Sequence, residues 1–168
     1  MTEFFFYVSG SVAVLATFLF VIAPNAIHAL LNLIVSFLAI AMVFLLLGAP
    51  FAAALEVIIY AGAVMVLFVF VIMMLQVGPE SVEQERRWMG FQVWWAPAAL
   101  ALLLIAEVGT LIATGSVTAE SGPHRVGPDE VGLVLLGRYV LAVELASILL
   151  LPGILGAYYL GRRRREDL

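Results

Sequence analysis

Five long apolar runs, separated by shorter polar breaks, set the pattern of this chain. A helix needs about 20 mostly apolar residues to cross the hydrocarbon core of a bilayer. Runs of that length cover about 4–23, 27–47, 51–75, 93–114 and 133–160. The pattern predicts an all-α integral membrane protein, with residues 1–168 as a single membrane domain of five transmembrane helices. The first break is the tight turn at Pro24 and Asn25. The second is Gly48-Ala49-Pro50, so short that spans two and three must form an antiparallel hairpin. Two longer polar segments, 76–88 and 114–132, flank the fourth span, and a run of arginines follows the fifth.

Composition turns that pattern into a solvent assignment. Hydrophobic residues make up 64% of the chain and charged ones 12%. A soluble domain is roughly half apolar and about a quarter charged. A body of 168 residues cannot hide so much apolar surface, so the surrounding solvent is lipid. There are no cysteines, which excludes disulfides and thiolate metal sites. His28 and His124 are too few and too far apart for a metal cluster. The basic run is confined to the tail, which argues against a nucleic-acid partner. Glu3 stands where a cleavable signal would be positively charged, so the first run is read as a retained span.

Arginine placement sets the expected orientation. With five spans, the segment holding Arg86 and Arg87 and the tail holding Arg162, Arg163, Arg164 and Arg165 share one side; Arg125 and Arg138 lie on the other. This places the N-terminus outside and the C-terminus in the cytoplasm. Trp88, Trp94 and Trp95 gather at the start of span four, as in an interfacial aromatic belt.

Acids inside membrane helices are costly, about 2.5–3.5 kcal/mol at mid-depth on insertion scales, and tend to face protein or water. Glu56, Glu107 and Glu144 are the candidates. Glu56 and Tyr60 share a helix face, and the tyrosine hydroxyl can bond the acid or a water. Ala61-Gly62-Ala63 follows, and the helix is bulky beyond it. Gly62 either packs against a neighbouring helix or eases a departure from α geometry, such as a π-bulge. Glu107 is the deeper acid, read either as functional or as a contact to a neighbouring chain. His28 reads as interfacial, and Asn32 and Ser36 as interhelical hydrogen-bonding residues. Pro152 and Gly153 are expected to kink or break span five. No nucleotide-binding glycine loop, metal-ligand set or nucleophile–base pair is present, so no active site is expected within this chain.

The stretch EVIIYAGAVMVLFVFVIMML, residues 56–75, resembles the third transmembrane helix of the J-type (chain 6) subunits of respiratory complex I, the proton-pumping NADH:quinone oxidoreductase. The acid, the Tyr-Ala-Gly-Ala segment and the bulky run match in order; chain length and span count match in outline. The resemblance implies a subunit without redox cofactor, in a bacterial inner membrane. NADH, FMN, iron–sulfur clusters and quinone would be bound by partner subunits. The K-, A-, H- and N-type subunits would be its neighbours, alongside the lipid bilayer. It implies a π-bulge around Tyr60 to Met65 that interconverts with a straight helix and so opens or closes a water path. Carried over, Tyr60 and Gly62 belong to the bulge, Val64, Met65 and Phe68 to its apolar gate, and Glu56 to the acid at the helix start. No role carries over to Glu107 or Glu144. A small membrane subunit of a multi-subunit cation/proton antiporter is the alternative reading, and a purely structural membrane subunit is the third.

Overall fold

The computed structural model describes residues 2–75, 91–114 and 126–161. The tail arginines, Arg86, Arg87, Arg125, Trp88 and His124 lie outside the described residues. Every described element is helical: α1 (Thr2–Ile22), α2 (Ala26–Leu46), α3 (Pro50–Leu55), a π segment (Glu56–Val64), α4 (Met65–Leu75), α5 (Phe91–Ala113), α6 (Pro128–Leu136) and α7 (Val140–Gly161). Five stretches are long and apolar enough to cross a membrane: Glu3–Ile22, Ala26–Leu46, Pro50–Met74, Trp94–Ala113 and Val140–Gly161. The third of these joins α3, the π segment and α4.

The chain divides into two units, residues 1–126 and 127–168. In the first, α2 is the central element, packing against α1, the third span and α5. Its start is set by Asn25, whose side-chain oxygen accepts from the Ile27 N–H at 2.9 Å, a standard helix cap. Its end is set by Gly48 at φ 81°. There the Gly48 N–H donates to the Leu45 carbonyl at 3.1 Å, and the Ala49 N–H to Phe44 at 3.0 Å. These two bonds form a Schellman cap, which satisfies carbonyls left open at the helix end. Pro50 then opens α3, where its missing N–H costs nothing. The hairpin expected from Gly48-Ala49-Pro50 is thus built from cap chemistry. Gly48→Ala forces a Cβ into the left-handed region, at about 1–2 kcal/mol. We expect reduced accumulation of the membrane-inserted protein, read by quantitative immunoblotting of membranes.

Packing within this unit is tight where side chains are small. Ala16 on α1 and Ala39 on α2 are fully buried, in a cluster with Val12, Val35, Met42, Leu104 and Leu111. Small residues let helix backbones approach closely, which matters in lipid because burial from water no longer drives association. Ser36 adds an interhelical bond, its hydroxyl 2.7 Å from that of Thr17 on α1.

In the second unit, Pro128 follows Gly127 at the start of α6, with Asp129 and Glu130 in the first turn, where acids favour the helix dipole. The helix stops at Gly137 and the chain resumes as α7 from Val140. The apolar pattern predicts a single span over 133–160; the turn at 137–139 divides that range. Of the kink or break expected at Pro152 and Gly153, the break does not occur: α7 continues through both residues.

Candidate functional site

Leu55 is the last residue of α3, and Glu56 caps it, donating its N–H to the Ala52 and Ala53 carbonyls. From there to Val64 the backbone follows π geometry, and the Met65 N–H reaches the Tyr60 carbonyl, five residues back. The segment therefore begins four residues earlier than the resemblance implied, and takes in Glu56. Each π turn holds one residue more than an α turn and opens the ladder between turns. The opening brings the Val57 carbonyl against Gly62, where a Cβ would sit 3.2 Å from that oxygen. Glycine fits this backbone approach without displacement of the neighbouring turn.

The other candidate residues divide by environment. Met65 is sealed inside the bundle, 1% exposed. Val64 and Glu56 are half-buried. Tyr60 and Phe68 are each 48% exposed within the chain. The Tyr60 ring rests against Phe37 of α2, with centroids 5.4 Å apart and planes inclined by 44°. Its hydroxyl makes no hydrogen bond to Glu56 among the described residues. Of the three apolar gate candidates, only Met65 is fully enclosed by this chain; Phe68 points outward. Beside the π segment an apolar cleft of about 490 Å³ opens between α2, the third span and α5, with Val57, Ala53, Met42 and Leu104 in its wall.

Two buried polar features were not assembled by sequence reasoning. Glu107 was read as functional or as a contact to a neighbouring chain. Its carboxylate accepts a 2.6 Å hydrogen bond from the Ser9 hydroxyl, joining α5 to α1 within this chain. Both residues are buried, at 4% and 0% exposure. His28, read as interfacial, is also buried, with its ring edge-on to Trp94 at 6.1 Å. Asn32 donates to the His28 carbonyl at 3.1 Å rather than across helices. In the second unit, the Ser147 hydroxyl donates to the Val143 carbonyl of its own helix, so Glu144 gains no bond from it. Among the described residues no three His, Cys, Asp or Glu side chains group as metal ligands.

The pattern of the NADH-ubiquinone/plastoquinone oxidoreductase chain 6 family matches residues 16–160, most of the chain. The chain belongs to this family. The match spans α2, the whole third span and α5, so the π segment lies inside the family region. Among curated relatives, NADH-quinone oxidoreductase subunit J of Pseudomonas aeruginosa is 53% identical over 161 residues, covering 96% of this chain and 97% of its own length. Subunit J of Escherichia coli is 50% identical over 164 residues, covering 97% of this chain and 88% of the relative. Subunit J of Rhodobacter capsulatus is 35% identical over 175 residues, covering 98% and 84%.

Proposed function

We propose that this chain is a non-catalytic membrane subunit of a proton-translocating NADH:quinone oxidoreductase, and that its third span gates protons. Membership of the chain 6 family and the relatives named as subunits of that enzyme support the assignment. The observation that carries the gating part is the π segment at Glu56–Val64, with Gly62 where a Cβ would stand 3.2 Å from the Val57 carbonyl oxygen.

The mechanism follows from helix geometry. An α-helix turns about 100° per residue. Removing the extra residue of a π turn swings everything beyond it by about that angle. Met65, now enclosed, moves off its present bearing, and Val64 and Phe68 turn with it. The apolar cleft against Val57 leaves room for the backbone to change, where a close-packed interior would resist. Glu56 and Tyr60 organise water and protons at the start of the segment, and Val64, Met65 and Phe68 interrupt the path beyond it. The K-, A-, H- and N-type subunits surround the chain in the bacterial inner membrane. The arginine bias places its N-terminus outside and its C-terminus in the cytoplasm.

Purification of the tagged full chain from native membranes tests the assignment. The expected preparation contains flavin and iron–sulfur subunits and oxidises NADH with quinone. A stable preparation without flavin or iron would instead match the antiporter reading. Glu56 has its own test. In the assembled complex, Glu56→Gln keeps the shape of the side chain and removes its charge. We expect slower quinone reduction and fewer protons moved per NADH oxidised. Unchanged values for both would reduce Glu56 to an interfacial acid.

A further inference from the structure

His28 and Asn32 sit one turn apart on the same face of α2, at 5% and 6% exposure. The Asn32 amide nitrogen is engaged by the His28 carbonyl, which holds the side chain over the turn containing His28. Two polar atoms are left over: His28 Nδ1 and Asn32 Oδ1 are buried and have no hydrogen-bond partner among the described residues. Trp94 of α5 lies edge-on against the imidazole and covers the site from that side. Buried polar atoms are almost always satisfied, and where protein groups do not satisfy them, ordered water commonly does.

The level of this site in the bundle gives it meaning. Span three runs antiparallel to α2, and the Phe37–Tyr60 ring contact shows which residues lie level. Five residues back along α2 from Phe37 is Asn32; five residues on along the third span from Tyr60 is Met65. At 1.5 Å per residue both lie roughly 7 Å from the ring contact, on the same side of it. From Met65 to Leu75 the third span carries no polar side chain. At this depth, the polar atoms of the helix pair are therefore those of α2.

We propose that His28 and Asn32 form a water-binding site, in which one water donates to Asn32 Oδ1 and shares a hydrogen bond with His28 Nδ1, and that this site is a polar station at the level of the Met65 gate. The second half rests on the gating reading above; the first half does not. The site offers one amide oxygen and one imidazole nitrogen, and takes a small ligand that both donates and accepts, which fits water better than an ion. Trp94 covers the imidazole on the α5 side. A water anchored there gives a proton leaving the gate a hydrogen-bonded place to arrive, where the third span offers only hydrocarbon.

The test uses the assembled complex. A density map at water-resolving quality should show a peak within hydrogen-bonding distance of both His28 Nδ1 and Asn32 Oδ1. In Asn32→Leu the peak should vanish, and protons moved per NADH oxidised should fall while uncoupled NADH oxidation is retained. A wild-type map without that peak, or with both atoms bonded to a neighbouring chain, overturns the water site. Should Asn32→Leu fail to assemble, the wild-type map still decides that half, and His28→Gln supplies the pumping measurement. Normal pumping in an assembled variant that has lost the water overturns the station. Gly62→Val separates the two readings. If it pumps normally while the water peak is present, gating fails and the water site stands. If it loses pumping while the Asn32 variant does not, gating stands and the station fails.

Discussion

Gly62→Val should assemble and yet lose most of its quinone-coupled proton pumping. The reason is local. In the π form a Cβ at this position stands 3.2 Å from the Val57 carbonyl oxygen, and that oxygen is backbone, not the mobile end of a side chain. Valine adds two methyls to the crowded Cβ. Overpacking of this kind costs about 1–3 kcal/mol. A regular α-helix accommodates a Cβ at every position, so the penalty falls on the π form alone. A bias of that size moves the balance between the two forms by roughly 5–150-fold. A gate that must pass through both forms then idles in one. Gly62→Ala brings only the first contact, which a shift of a few tenths of an ångström relieves, so its effect should be milder. Proton uptake by inverted membrane vesicles, measured against NADH oxidation, gives the ratio; a map of the variant gives the helix form. A straight third span with a normal pumping ratio would falsify gating by this segment.

The hydrophobic pattern made the five spans legible, because spanning length is a property of consecutive residues. The hairpin between spans two and three was equally legible: Gly48 and Pro50 have conformational requirements that few other structures meet. Gly62 is a misfit in an apolar run, but the run alone leaves its role divided between packing and hinge; only the resemblance of the whole stretch favours the hinge. The extent of the π segment was not legible. Helix propensities do not distinguish α from π, and the resemblance placed the bulge at Tyr60 to Met65, whereas the backbone departs already at Glu56. The division at 137–139 was hidden because Gly137-Arg138-Tyr139 is only a brief interruption between two long apolar runs. Pro152 does not break its span. Transmembrane helices tolerate proline where local adjustment satisfies the freed carbonyl, and α7 continues through it. Ser9 and Glu107, 98 residues apart, could be brought together only by the packing of α1 and α5.

That pair supports the second large effect, on stability of the assembled subunit. Ser9→Ala removes the hydrogen bond to Glu107 Oε1 and leaves the acid in place. The other carboxylate oxygen, Oε2, already has no partner among the described residues. With Ser9 fully buried and Glu107 nearly so, the chain itself offers the abandoned oxygen no replacement. Stranding a buried acceptor costs about 1–3 kcal/mol, more if it is charged. An interhelical hydrogen bond in a membrane contributes on average only about 0.6 kcal/mol. The loss should therefore exceed the worth of the bond itself, because the penalty comes from the acid left behind. Replacing both partners by apolar groups can be nearly neutral. Adding Glu107→Leu to Ser9→Ala should then restore most of the lost stability, so that the double variant is sounder than the single one. The temperature at which the purified complex releases this subunit, followed by native electrophoresis after heating, orders the variants. A double variant no better than Ser9→Ala would mean that Glu107 is held by more than this bond. A lowered pumping ratio in Ser9→Ala complexes that remain assembled would place the acid on the proton path as well.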